Sequence, residues 1–517
     1  MHFYNSSESP LRFSERSAAT VSCRFSRLDS GWLRITYLLI GIIFLAGCGK
    51  ENEAAASKPY QDLTIRVAVP KGWQFKDSWD VQLEEWSART GAKVDLVETD
   101  AQNLDQPLIS SEAPPQLMLL PWTRRGELLV DRRLQAFPEA ALDESQLHWN
   151  DVLQGLREKQ CTADGGSFLM PLSAPVLVCY YRADLLEKAG LKPPESWNDY
   201  QTLLDRLAIW APGLTAVEPW SPEFRSTLFM ARAVSYVKSP GQLSVYFEVD
   251  NGKPYISSPG FVKALQVAQT AVKKLPPEVL GYDPIACRNL IVSGKAALAI
   301  GLESGPDNWP LTLGAGTPKL ENRPKEVHRA DKISIGVCQL PGANQVYNST
   351  FENWEAYDKS AYRVTYTGFA GLCAAVPRPT ATEQSAAALN LLASLIHDSG
   401  SQFPPATRSV VRESDLTNAG AWVGHEFSAE EAASYVAVVA RSLRDRQQVS
   451  ELPVIGHAEF RAALTKGLRL AIEEDRPAAE VLANIELEWK EILKKLGQDR
   501  VLKSYRRALG LSERQEY

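Results

Sequence analysis

A chain of 517 residues with 44% hydrophobic and 23% charged side chains has the composition of folded globular protein and enough length for more than one core, which excludes disorder, collagen and coiled coil as descriptions of the whole. Its formal net charge of -6 supplies no basic footprint for a phosphate backbone, so nucleic acid and other polyanions are not expected as partners. Seven cysteines, at 23, 48, 161, 179, 287, 338 and 373, include no C-x-x-C pair and no Cys/His cluster of zinc spacing, so no metal and no cofactor is expected.

Residues 1–30 form an N-terminal extension, and residues 31–47 carry the marks of an export signal: Arg34, a short apolar run from Leu38 to Leu45, then small residues. The run is short for a bilayer core of roughly 30 Å. Its end, Leu45-Ala46-Gly47-Cys48, resembles the lipobox of bacterial lipoproteins, which implies that Cys48 is lipidated and becomes the first residue of an extracytoplasmic, membrane-tethered chain in the periplasm or on the cell surface. A soluble secreted protein and an uncleaved anchor are the rival readings. Removing residues 1–47 takes away five arginines and three acids, leaving 51 basic against 59 acidic residues. The five cysteines that remain besides Cys48 are odd in number and lie largely in apolar runs, which favours core packing.

Residues 48–61 read as a flexible tether. Alternation then predicts a strand over 63–70, a helix carrying Trp79, Leu83 and Trp86 on one stripe, a strand over 93–97 and an apolar strand over 116–120. Further on come a strand over 175–181, a helix over 182–189, a helix capped by Ser196 with Asp199 at the capping-box position, a helix over 261–275, and a helix and strand at 284–293 and 296–300. Residues 340–365 show no sustained period and predict a long loop or insertion. Helices are expected over 381–397, 429–446, 459–473 and 478–496, with a charged peripheral tail at 498–517. Strands alternating with helices predict a parallel sheet covered on both faces.

The run Met170-Pro171-Leu172-Ser173-Ala174-Pro175, then Tyr180-Tyr181-Arg182-Ala183-Asp184-Leu185-Leu186-Glu187-Lys188-Ala189-Gly190-Leu191, then Pro193 to Tyr200 resembles the central signature of the bacterial extracellular solute-binding proteins of ABC sugar importers, the maltose-binding-protein-like family 1. Glu85 to Val94, Val292 to Ile300, Ile335 to Gly342 and Gly368 to Leu372 resemble further stretches of that family in the same order, so the resemblance spans about residues 60 to 497. It implies a periplasmic-binding-protein-like type II fold: two α/β lobes with a hinge and a central ligand cleft. The boundaries expected are 62–174 plus 284–345 for lobe I and 175–283 plus 346–497 for lobe II. It also implies a monomer that takes a small-molecule ligand, a sugar or oligosaccharide, and meets an ABC permease in the inner membrane.

Sugar recognition needs flat apolar faces and planar polar side chains, carried on loops that follow the carboxyl ends of strands. Four of the 13 tryptophans fall in such loops: Trp73, Trp122, Trp220 and Trp309. Trp220 sits in Glu218-Pro219-Trp220, where the family's maltose binders carry a similar acidic-Pro-aromatic triplet. Glu218, Glu303 and Asp307 are the polar candidates, and Tyr347, Trp354 and Tyr366 flank the irregular stretch as a possible lid. Ordinary packing is the competing account for each tryptophan, and a solvated loop carboxylate for each acid. No nucleophile elbow, zinc-protease, P-loop or dinucleotide motif is present, so no catalytic residue is expected. The alternatives that stay open are a binding lipoprotein for a non-sugar solute or feeding a sensor, and a secreted carbohydrate-active enzyme.

Overall fold

The computed structural model describes residues 58–71, 75–100, 114–143, 146–303, 327–357, 359–378, 380–397 and 409–511, and residues 58–517 form one compact unit. The N-terminal extension, the export signal and Cys48 lie outside the described residues.

Two mixed sheets organise the chain. The first runs in the order Lys93–Thr99, Thr64–Pro70, Leu117–Pro121, Leu372–Pro377, Leu134–Gln135, with Met170–Pro171 also paired to Leu372–Pro377. Its first three strands are parallel, as expected, but Leu372–Pro377 enters antiparallel to Leu117–Pro121. The second sheet runs Ile335–Gln339, Val178–Arg182, Ala296–Gly301, Thr215–Val217, and Val178–Arg182 is antiparallel to both its neighbours. The sheets are therefore mixed rather than all-parallel. Every residue of Ala296–Gly301 and of Leu372–Pro377 is buried, so these strands read as unbroken apolar runs.

Sheet pairing crosses the bounds expected for the lobes. The strands at 296–301 and 335–339, assigned by sequence to lobe I, pair in the second sheet, and 372–377, assigned to lobe II, pairs in the first. A strand apolar on both faces carries no mark of which sheet it joins. Helix Thr382–His397 follows its strand to the first sheet and lies against helix Phe75–Thr90, where Trp86 Nε1 donates to Asn390 Oδ1 at 2.9 Å.

Local chemistry sets the helix starts. Ser196 Oγ accepts from Asp199 N at 3.1 Å while the Asp199 carboxylate accepts from Ser196 N at 2.8 Å, the reciprocal box the sequence predicts. Asp283 accepts from the backbone of Ile285 and Ala286, with Pro284 preset for the first turn of Pro284–Val292.

Two expectations fail locally. Part of the stretch read as a loop at 340–365 is a hairpin, Gln345–Asn348 with Asn353–Ala356, whose turn begins where Asn348 Oδ1 accepts from Thr350 N and Phe351 N. The tail at 498–517 opens with helix Gln498–Ala508, which buries Val501, Leu502 and Tyr505. This helix packs on Arg125–Val130, the short helix that follows strand Leu117–Pro121, and Arg507 pairs with Asp164 at 2.7 Å.

Candidate functional site

Among the sequence-predicted residues, Trp73, Asp307, Trp309 and Cys48 lie outside the described residues. Trp122 opens a single 3-10 turn at the end of Leu117–Pro121, buried, with Nε1 donating to the Ser173 carbonyl at 2.7 Å. It fastens the strand end to the crossover segment.

Glu218 and Trp220 are brought together, just after Thr215–Val217. The Glu218 carboxylate accepts from Trp220 Nε1 at 2.9 Å and from Arg232 Nη2 at 2.8 Å, with both charged side chains fully withdrawn from water. The Arg232 guanidinium lies 4.3 Å from the Trp197 ring centre, over its face, which adds a cation–π contact. Burial first, and then the Glu218 charge, push the nearby Tyr200 phenol well above its ordinary pKa.

Glu303 belongs to a separate cluster beyond Ala296–Gly301. It accepts from Arg288 Nε at 2.9 Å and from Tyr180 Oη at 2.9 Å, and its backbone N–H donates to Tyr435 Oη at 3.0 Å. The rest of the Arg288 fork holds Glu426, at 3.1 and 3.0 Å. The structure thus groups Glu218 with Trp220 but neither with Glu303 or Trp122, and it gives the polar groups of all four partners inside the protein. Of the lid candidates, Tyr347 and Trp354 face each other across the hairpin with ring centres 5.4 Å apart. Tyr366 is instead buried, donating to Glu451 at 2.6 Å.

A cavity of about 450 Å³ lies where the half carrying the first sheet meets the half carrying the second. Arg125 and Gln160 line it from the first, Lys238, Tyr246 and Ser450 from the second, and Tyr505 from the C-terminal helix. Gln160 binds across the seam: its Nε2 donates to Thr367 Oγ1 at 2.9 Å and its Oε1 accepts from Ser450 Oγ at 2.8 Å. Tyr246 Oη donates to the Ser450 carbonyl at 2.7 Å. At Gly126 an added Cβ would overlap the Pro453 carbonyl and the Val454 nitrogen, so only glycine lets the two halves close at this rim.

Behind Ser450, Glu451 accepts from Tyr366 and stands 3.5 Å from Arg461 and 3.2 Å from His457. Burial alone would raise its pKa, but Arg461 and His457 outweigh it and hold the carboxyl at about 2. Lys238 moves down to about 8, through burial first and then the charge of Lys159, while its Nζ donates to the Ser239 carbonyl at 3.0 Å. Burial likewise lowers Arg125. No group of three or more metal-ligating side chains occurs among the described residues.

Sequence reasoning missed Arg125, Gln160, Lys238, Tyr246 and Ser450. One signal was available for Arg125: it stands three residues beyond Trp122 in the same post-strand segment, where the rule that chose the tryptophan applies equally. The others sit in unremarkable connections.

A cavity of this size, with amide, hydroxyl and cationic groups on its walls, can hold a small polar solute. Residues 72–318 match the family model of bacterial extracellular solute-binding proteins. A probable ABC transporter-binding protein of Deinococcus radiodurans is 27% identical over 342 residues, covering 61% of this chain and 74% of that one. Among solved structures, maltose-bound T. maritima MalE3 superimposes with a TM-score of 0.56 at 18% identity, over 83% of this chain and all of that one. An ABC transporter solute-binding protein of Agrobacterium radiobacter K84 in complex with ribitol gives 0.55 at 16%, over 84% of this chain and all of that one. These two likenesses show a shared fold, the two-lobed type II architecture of periplasmic binding proteins. By the family match over residues 72–318 and by the Deinococcus relative, the chain is similar to the bacterial extracellular solute-binding proteins.

Proposed function

We propose that this protein captures a carbohydrate-like solute, a sugar or a polyol, in the cavity between its two halves and passes it unaltered to an ABC permease. The observation that carries this reading is the 450 Å³ polar-walled cavity at the seam of a fold whose solved relatives hold maltose and ribitol. Closure of the two halves about a hinge follows from tighter ligand contact in the closed form. Trp73, Asp307 and Trp309, which follow strands Thr64–Pro70 and Ala296–Gly301 in sequence, remain proposed ligand contacts. Trp122, Glu218, Trp220 and Glu303 then act as the frame behind the site. The chain works outside the cytoplasm, as a monomer held to the membrane by lipid on Cys48. Among the described residues no helix is long and apolar enough to cross a membrane.

Thermal unfolding of the purified chain against sugars and polyols, with amino acids, peptides and divalent metals as controls, tests the reading. A ligand at a hundred times its dissociation constant adds about 2.7 kcal/mol of stability. A selective rise with a sugar or polyol, recovered intact, is the expected result. A rise only with a control fails the carbohydrate reading, and a cleaved sugar fails the capture reading.

A further inference from the structure

The cavity wall carries positive charge that the rest of the molecule leaves unanswered. Four cations line it, Arg125, Lys159, Lys238 and Arg446, against one carboxylate, Glu158. Glu158 is already taken by Arg446, at 2.8 Å. That leaves Arg125, Lys159 and Lys238 facing the space in a chain whose overall charge is negative.

Arg125 is the informative member. Among the described residues, the buried arginines Arg182, Arg225, Arg232, Arg288, Arg412 and Arg507 each have a carboxylate within 4 Å. Arg125, 1% exposed, has none. Its hydrogen bonds go to neutral oxygens, Gln160 Oε1, the Lys159 carbonyl and the Ala508 carbonyl, and its Nε has no partner. A guanidinium stripped of water without a counter-charge is costly, and Lys238 on the same wall carries a burial cost of its own, to which the charge of Lys159 adds. Both costs are relieved by a negative group in the cavity, bound through charge-assisted hydrogen bonds.

We infer that the captured solute bears an anionic oxygen group, a phosphate or a carboxylate, which docks among Arg125, Lys159 and Lys238. The inference rests on the cavity being the capture site, and it narrows the ligand from a neutral sugar or polyol to an acidic one. Phosphate and carboxylate share the chemistry and are separated by the probes.

Calorimetric titration of the full chain with matched probes tests it: glucose against glucose 6-phosphate and glucuronate, glycerol against glycerol 3-phosphate, and inorganic phosphate alone. The expected result is at least tenfold tighter binding of an acidic probe than of its neutral partner. That advantage shrinks between low and high salt, and it is largely lost in Lys238→Gln and in Lys238→Gln/Lys159→Gln. Equal binding of neutral and acidic partners overturns the inference while leaving sugar capture standing. So does an advantage that survives in the double variant, its fold verified by circular dichroism. Inorganic phosphate binding as tightly as glucose 6-phosphate keeps the anion site and removes the carbohydrate reading. No binding by any probe overturns both.

Discussion

Arg232 and Arg125 are withdrawn from water to the same degree, 0% and 1% exposed, yet they sit in opposite electrostatic situations. Arg232 is locked to Glu218, braced by Trp220 and covered by Trp197. Arg125 borders a cavity lined by three other cations and by one carboxylate, Glu158, which is already paired with Arg446. The first arrangement is complete without a ligand and serves the frame of the second half. The second is complete only with one. Burial of a charged residue therefore does not mark a site by itself; the missing counter-charge beside open space does.

The paired region breaks most severely. Arg232→Met leaves Glu218 buried without its partner and costs about 3–5 kcal/mol in urea unfolding, and adding Glu218→Gln recovers most of that loss. A cost below about 1 kcal/mol for the single variant means that the pair is not holding the frame.

The Glu451 cluster sharpens the same point through pH. Its folded pKa, about 2, lies below its ordinary value of 4.5, so the stability it contributes is fully present above pH 4.5 and is lost as pH falls toward 2. That loss amounts to about 3 kcal/mol, and Glu451→Gln removes the corresponding part of the acid-unfolding curve.

At the seam, Gly126→Ala pushes against Pro453 and costs about 1–3 kcal/mol while weakening ligand binding, because the halves no longer close. Ser196→Ala, away from the cavity although next in sequence to Trp197, costs only about 1 kcal/mol through the lost cap and leaves ligand affinity unchanged.

The cavity responds in the reverse sense and least. Lys238 has a folded pKa of about 8, below its ordinary 10.5, so its charged form costs stability below pH 8, and that cost disappears as pH rises from 8 to 10.5. Arg125, Lys159 and the Glu158–Arg446 pair share that wall. Lys238→Gln accordingly raises the melting temperature of the ligand-free chain slightly at pH 7 and has no such effect at pH 10.5.

Local chemistry made much of the fold legible. The Ser196 capping box, the strand at 64–70 and the helix at 478–496 follow from caps, alternation and apolar stripes read along a few residues. The sheet membership of 296–301 and 372–377 was not legible, because a strand buried on both faces looks the same in either sheet. The hairpin at 345–356 was hidden behind polar residues, although Asn348 carried a turn signal. The charge of the C-terminal helix masks its buried stripe of Val501, Leu502, Tyr505 and Ala508. For the site, the post-strand rule pointed to Trp122 when the side chain on the cavity wall was Arg125, in the next turn. Glu218 and Glu303 drew notice as acids near tryptophans, whereas their arginine partners lie 14 and 15 residues away in sequence and were invisible as partners.

The most direct test is hydrogen exchange of the chain with and without the solute that raises its melting temperature most. Capture at the seam predicts new protection in residues 238–246 and 446–453 and in the helix Arg125–Val130, which bound the cavity from both halves. Protection confined to other surfaces, with those three segments exchanging as they do in the free chain, contradicts it.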